Sequence, residues 1–516
     1  MSRIGLMYTS VLSVGTPNIQ NGHMNPISLP FENSYASLPE RFFVRQAPVP
    51  VQAPSLIRLN LQLCALLGLD ADALATQNGA DIFAGNTVPD GADPLSMAYA
   101  GHQFGGWVPQ LGDGRATLLG EIIGTDGIRR DIQLKGSGRT HFSRGGDGRA
   151  AVGPVLREYI VSEAMNALGV PTTRALAAVT TGEDVIREGY MPGAVLTRVA
   201  QSHVRVGTFQ YFAARQDIDG LRTLADYVIA RHYPEASRAE NPYHAMLSEV
   251  VNRQATLVSK WFGLGFIHGV MNTDNTSIIG ETIDYGPCAF MDTYHPTKVF
   301  SSIDHMSRYA FSNQPSILQW NLAQLAQSLL PLIHTDMEIA VSIAQAEIDA
   351  YPQVFEQILS AEFRLKLGLM TTNNDDLSLA MDLLEFMAEN EADFTNTFRY
   401  LADIISKDVD DVNARALFND PKGFDHWVAR WLKRLDAEGR SLEECATEMR
   451  QKNPAVIPRN HLVEAAIRAA EDKSDFSVFN DLVEEVLDPF RARQPESHYV
   501  IPPEPDEIVH QTFCGT

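Results

Sequence analysis

Between Arg115 and Leu168 the chain has little freedom in what it folds into. A strand-like run from Arg115 to Ile123 leads into Thr125-Asp126-Gly127, a strong hairpin turn. Arg130 to Lys135 (RDIQLK) then alternates as a second strand, with Lys135 at its end. The loop that follows, GSGRTHFSRGGDGRA, holds five glycines and the arginines Arg139, Arg144 and Arg149. A helix is predicted from about Pro154 to Leu168, because Pro154 suits a first turn and Gly169 a stop. Leu156, Ile160, Ala164 and Leu168 form its inner stripe, and Glu158 lies early in it. Upstream, YAGHQFGGWVPQLGDGR adds Gly101, Gly105, Gly106, Gly112 and Gly114.

The rest of the chain is read more coarsely. Residues 31 to 58, with Pro39, Pro48, Pro50 and Pro54, read as extended chain wrapping the surface of something else. Leu59 to Leu69 has helical spacing, with Cys64 on its apolar face. Strands are predicted at Ala175 to Thr180 and Ala194 to Val199, joined by a turn around Gly182-Glu183-Asp184. Helices dominate after about 205, at Leu221 to Arg231 and Tyr243 to Phe262, then from Ile317 to about Leu384, around Trp427 to Leu435, and from Leu462 to Ala470. The fold class expected is α+β.

The stretch from Phe266 to Asp292 packs His268, Asn272, Asp274, Asn275 and Asp284 around a short β-prone run, Thr276 to Ile279. That order puts Asn275 and Asp284 at opposite ends of a hairpin-like element, where two oxygen ligands can share a hard divalent cation. A polar loop followed by an ordinary Asp-Tyr-Gly turn explains the same residues equally well.

Charge narrows the partners. The formal net charge of −23 argues against a general nucleic-acid or anionic-membrane binder, which needs a basic face. Residues 111 to 215 nevertheless carry thirteen Lys plus Arg against ten Asp plus Glu, which suits a small anionic ligand held in a pocket. Cys64, Cys288, Cys445 and Cys514 form no CxxC pair, and no apolar run reaches bilayer length, so a soluble cytoplasmic protein is expected. No sustained heptad suggests a coiled-coil dimer, and a monomer is expected.

Taken together, the parts run in the order of a protein kinase: glycine loop, strand Lys, helix Glu, helical body, metal-type Asn and metal-type Asp. Each is weak alone, and the order carries the weight. No GxxxxGK[ST] occurs, which excludes a P-loop. Two departures stand out. Val270 occupies the usual base position, while Asp274 sits directly beside Asn275. Arginine is also in excess, at Arg115, Arg139, Arg144, Arg149, Arg198 and Arg205, and forked donors suit phosphate oxygens. For Arg139, Arg144 and Arg149 a surface or structural salt bridge is an equal reading.

The chain resembles the selenoprotein-O family, the bacterial YdiU-type proteins. The resemblance runs through PFENSYASLPERFF, YAGHQFGGWVPQLGDGR, IQLKGSGRTHFSRGGDGRA, VLTRVAQSHVRVGTFQYF, FIHGVMNTDN, ETIDYGPCAFMD, NPAVIPRNHLVEAAI and the terminal Cys. It implies a protein-kinase-like two-lobed fold, with a small β-rich N-lobe and a helical C-lobe. It also implies transfer of AMP from ATP to hydroxyls of Ser, Thr or Tyr in proteins, with Mg²⁺ or Mn²⁺. Carried onto this sequence, the ion pair falls on Lys135 and Glu158, and nucleotide contacts on Gly112, Gly114, Arg115, Asp147 and Gly148. Phosphate arginines fall on Arg198 and Arg205, the proton acceptor on Asp274, and the metal ligands on Asn275 and Asp284, the latter also at the nucleotide. An inverted ATP, its terminal phosphates held inside by arginines, is implied as well. Cys288 and Cys514 stand where relatives form a redox-sensitive disulfide. The expected partition is 1–95 as an N-terminal extension wrapping the core, 96–204 as N-lobe, 205–420 as C-lobe, and 421–516 as helical extension and tail. The rival readings are UMP transfer with Mn²⁺, a protein kinase with a displaced base, and a nucleotide-binding pseudokinase scaffold.

Overall fold

The structure is a computed structural model that describes residues 27–406 and 412–513. Its main sheet is antiparallel throughout and has eight strands, labelled here in chain order. They are β1 (Phe43–Arg45), β2 (Ser55–Leu59), β3 (Leu95–Met97), β4 (Ala116–Ile123), β5 (Arg129–Lys135), β6 (Ala150–Ala151), β7 (Arg174–Ile186) and β8 (Tyr190–Ala200). The spatial order is β1-β3-β4-β5-β8-β7-β2, with β6 paired to β8. The predicted hairpin is β4–β5, and the N–H of Gly127 (φ 76°) donates to Gly124 O at 2.9 Å inside its turn.

Three expectations are corrected. Residues 31 to 58 do not merely wrap the surface: β1 and β2 pair as strands at the two ends of the main strand order, giving those ends a backbone partner. The turn placed at Gly182 is internal to β7, and the reversal comes at Arg187–Gly189, where Arg187 N donates to Gly189 O at 2.9 Å. Gly182, at φ 70°, is needed because a Cβ there would lie 2.6 Å from the Cβ of Ala53. The run Thr276 to Ile279 forms no hairpin arm. Ser277 bridges Arg205 instead, and the paired strands are Phe266–Ile267 and Ala289–Phe290, so Asn275 and Asp284 both lie in the loop between them.

Helices supply the rest. α1 (Val152–Ala167) is stopped by Gly169 at φ 75°. Its expected inner stripe is only a small part of what it buries, since nearly every residue from Val152 to Met165 is buried, Arg157, Glu158 and Glu163 included. The cause is a second layer: α1 is sandwiched between the sheet and two late helices, Asn460–Lys473 and Ser477–Val486. Arg157 pairs with Glu464 across that contact, and the rings of Tyr159 and Phe479 lie 5.5 Å apart. The long helix Pro242–Leu264 begins with an Asn241 cap and Pro242, ends on left-handed Gly265, and delivers the chain into Phe266. It packs with Gln314–Ile333 and Met337–Lys366 around one large apolar core, and the helices Asp376–Asn390, Phe394–Ile405, Pro421–Asp436 and Leu442–Lys452 build most of a second. Among the described residues no helix is long and apolar enough to cross a membrane.

Candidate active site

Strand register assembles the first half of the site. Lys135 stands opposite Leu196 and Gln133 opposite Arg198, so Lys135 and Arg198 are diagonal neighbours on one face of the sheet. Glu158 meets both from α1. Lys135 Nζ is 2.5 Å from Glu158 Oε2, and Arg198 Nε donates to Glu158 Oε1. Asp284 closes the cluster from the Asp-Tyr-Gly turn. Its Oδ1 accepts from Arg198 Nη2 and lies 3.5 Å from Lys135 Nζ, while its Oδ2 is 3.7 Å from Arg205 Nη1. The backbone at Asp284 is left-handed (φ 61°), a conformation Asp adopts more readily than most residues, and Gly286 N donates to its carbonyl at 2.8 Å.

Electrostatics follow from burial and pairing. Burial alone would push the Asp284 carboxyl up, but Arg198, Arg205 and Lys135 outweigh it and hold it well below the usual carboxylate range. Glu158 is held low by the same contest, with Arg198 and Lys135 winning over burial. Burial lowers the Lys135 ammonium, with Arg198 adding to the effect, Glu158 opposing it, and Arg115 close enough to contribute.

Arg205 differs from Arg198. It is 3% exposed, its guanidinium lies over the Tyr99 ring at 4.4 Å, and its Nε has no hydrogen-bond partner. Its Nη atoms come no closer than 3.7 Å to a carboxylate, at Asp113 and Asp284. Its Nη groups thus make ion pairs longer than hydrogen bonds and its Nε makes none, which leaves donor capacity that an added oxyanion could take up.

The two glycine loops are fastened to each other. A Cβ on Gly112 (φ 69°) would lie 2.3 Å from Phe142 Cγ, and Thr140 Oγ1 donates to Asp113 O at 2.6 Å. Gly112 N already donates to Tyr99 O and Gly114 N to Gly112 O. Both glycines are required by the contact with Phe142, and neither amide is left as a free donor. In the second loop, Gly148 (φ 68°) lies against the backbone of Gly138. The Asp147 carboxylate turns to Arg187 at 2.8 Å, which lowers its pKa, and it does not join the buried cluster. Arg149 donates to the carbonyls of Val49 and Pro50 and is structural, while Arg139 and Arg144 are exposed.

Asp274 and Asn275 lie in a short turn, Thr273–Asn275, tied to the segment around Arg205: Val206 N donates to Thr276 O, and Ile278 N to Val204 O. Asp274 is 6% exposed, and burial pushes its carboxyl up to about 6 against a hydrogen bond from Gln103. Asn275 donates Nδ2 to Val270 O at 3.0 Å, so its amide oxygen is the atom that could serve a cation. Among the described residues no group of three His, Cys, Asp or Glu could hold a metal. The Asn275 and Asp284 oxygens are a sparse all-oxygen set, and that fits Mg²⁺ or Mn²⁺, which take remaining ligands from water and phosphate.

Several participants escaped the sequence reading. Asp113 lies between two flagged glycines, yet its buried carboxylate, accepting from Met97 N and Gln133 Nε2, is visible only in three dimensions. Gln103 and Tyr99 belong to the glycine-rich approach but had no chemical signature of their own. His268 proves structural, buried against the Trp261 ring at 5.4 Å and bonded to Ile283 O. Cys288 is buried, no disulfide is found among the described residues, and Cys514 lies outside them.

Comparison with known proteins places the chain in a family. The family described as "Protein adenylyltransferase SelO" matches residues 25–487. A "Protein nucleotidyltransferase YdiU" of Bradyrhizobium diazoefficiens is 60% identical over 490 residues, 95% of this chain and 100% of the relative. Another of that description, from Rhodopseudomonas palustris strain BisB5, is 59% identical over the same share of each chain. The chain belongs to the protein adenylyltransferase SelO family and is a nucleotidyltransferase.

Proposed function

We propose that this protein transfers AMP from ATP to Ser, Thr or Tyr hydroxyls of proteins, using a kinase-like arrangement in which 96–204 is the small lobe and 205–420 the helical lobe. On this reading 1–95 and 421–516 are extensions that brace the two. The observation that carries the proposal is Arg205, a buried guanidinium with an unpaired Nε and only long ion pairs at its Nη groups, beside Lys135, Arg198 and Asp284. Phosphate oxygens are the ligand such a group lacks. An ordinary kinase presents its terminal phosphate outward, so arginines this deep suit the inverted nucleotide better.

In the reaction the acceptor oxygen bonds to the α-phosphorus, the bond from that phosphorus to the bridging oxygen breaks, and pyrophosphate departs. Asp274 takes the hydroxyl proton. Lys135, Arg198 and Arg205 hold the phosphates, with Arg115 and the close backbone of Gly112, Gly114 and Gly148 beside them. Asp147 contributes from the rim. Asn275 and Asp284 would hold Mg²⁺ or Mn²⁺, which supplies charge neutralisation to the departing pyrophosphate. Positioning and fixed charge of this kind account for most of the catalysis in phosphoryl chemistry.

The test is isotopic. Protein should become labelled from ATP carrying the label at the α-phosphorus. Label entering only from the γ-position would make the protein a kinase and end the proposal. The same assay with α-labelled UTP separates AMP from UMP transfer, and unchanged labelling by Lys135→Ala and Asp284→Ala would move the activity away from this site. Redox control by Cys288 and Cys514 is part of the reading. Thr512 donates its N–H to Phe300 O at 2.8 Å, twelve residues beyond Cys288, while no disulfide is found among the described residues and Cys514 lies outside them. Cys514→Ser should then abolish any dependence of activity on reductant.

A further inference from the structure

A small hairpin outside the main sheet touches the proposed proton acceptor. Gly101–Gln103 pairs with Gly106–Val108, and its first strand lies along the turn that carries Asp274. Three bonds fasten it there. His102 N donates to Thr273 Oγ1 at 2.7 Å, Phe104 N donates to Asn272 Oδ1 at 3.0 Å, and Gln103 Nε2 donates to Asp274 Oδ2 at 3.1 Å. A further contact between His102 Nδ1 and Gln210 Nε2, at 2.9 Å, ties the hairpin to the helix Val206–Ala213.

The two oxygens of Asp274 have different surroundings. Oδ1 is sealed, without solvent or a hydrogen-bond partner, and the backbone of Gly101 fills the space over it: a Cβ there would lie 2.5 Å away. Oδ2 receives the Gln103 amide, and Gln103 is half-buried next to the exposed hairpin tip that carries Phe104 and Trp107. One oxygen is therefore sealed by backbone, and the other is held by a half-buried amide beside the exposed hairpin tip. Apart from Gln103 no side chain donates to this carboxylate among the described residues.

We infer that Gln103 is a positioning residue that aims Asp274 Oδ2 at the acceptor hydroxyl, and that the hairpin forms the acceptor-side wall of the site. The amide donor fixes the rotation of the carboxylate about its Cβ–Cγ bond, so the outward lone pair keeps one direction. Misplacement of a reacting group by about 1 Å costs on the order of a hundredfold in rate. Gly101 serves the same end by admitting backbone where any side chain would displace the carboxylate. The inference rests on the reading of Asp274 as proton acceptor.

The experiment is a double-mutant cycle on protein labelling, with ATP affinity measured separately on the same full-length variants. Gln103→Leu keeps the volume and removes the donor. It should lower kcat by about tenfold or more and leave KM for ATP and direct ATP binding within about twofold. Asp274→Asn should lower kcat further, and Gln103→Leu added to it should have no additional effect. If the two losses multiply, or if Gln103→Leu leaves kcat unchanged, Gln103 does not act through Asp274 and the inference falls. If Asp274→Asn itself keeps the full rate, the proton-acceptor reading has failed first. Should Gln103→Leu not fold, the unbranched Gln103→Met, of similar length and without a donor, carries the same cycle.

Discussion

Two arginines a few residues apart in sequence have opposite thermodynamic roles. Arg198 is paired within the protein whatever it does for phosphate: it bonds both Glu158 and Asp284, and its removal leaves the buried Glu158 and the half-buried Asp284 short of their main partner. Breaking a buried network of this kind costs about 3–5 kcal/mol. Arg205 is only partly used: it lies over Tyr99 with its Nε unpaired and reaches Asp113 and Asp284 at 3.7 Å. Arg198→Met should therefore lower unfolding stability by several kcal/mol in denaturant titration. Arg205→Met, which removes longer ion pairs, should lower it by clearly less yet weaken ATP binding roughly 10–100-fold, the worth of one or two charge-assisted hydrogen bonds. Similar stability losses in both, or undiminished ATP binding by Arg205→Met, would show that the contrast is false. The sequence pointed to both positions because Arg is the residue type for phosphate. It held no sign of which one the fold had already paired, since that depends on Asp284 arriving from a loop far along the chain.

At the scale of elements, the two glycine-rich loops behave as one unit. Phe142 from the second fills the space left by the missing side chain of Gly112 in the first, and Thr140 bonds the carbonyl of Asp113. A side chain at Gly112 meets both a left-handed backbone and an aromatic ring. Gly112→Ala should cost about 2–4 kcal/mol and weaken nucleotide binding. Adding Phe142→Ala should recover nucleotide binding in part, because the steric share of the penalty is relieved while the backbone share stays. Full additivity of the two losses, read by thermal melting and ATP titration, would mean that the loops are not coupled. Local pattern gave the hairpin β4–β5 and α1 to within a few residues, since alternation, a Thr-Asp-Gly turn, Pro154 and Gly169 are all local signals. It misplaced the turn after β7 because Gly182, which reads as a turn residue, serves a close contact with Ala53 instead.

At the scale of the whole molecule, stability carries a pH signature from Glu281. This carboxyl is buried, accepts one backbone bond from Gln201 N at 3.2 Å, and is pushed up to about 8 by burial. A group raised above its unfolded value of about 4.5 binds its proton more tightly in the folded state, so its contribution is fully present below pH 4.5 and is lost as pH rises towards 8. Glu281→Gln should remove that slope and make the protein more stable at pH 8, by an amount on the order of 2–5 kcal/mol. An unchanged difference between denaturation at pH 5 and at pH 8 would show that Glu281 is not the cause. The order of glycine loops, strand Lys, helix Glu, Asn and Asp was set by the sequence itself, because each depends on residue type and near neighbours, and the match to the SelO family follows the same residues. The tertiary structure alone decided how they meet: that Lys135 and Arg198 share a face through β5–β8 register, that helices beyond residue 459 bury the outer side of α1, and that a hairpin at Gly101–Val108 sits on Asp274. Those contacts join segments tens to hundreds of residues apart, and no local periodicity encodes which distant partner will cover a given side chain.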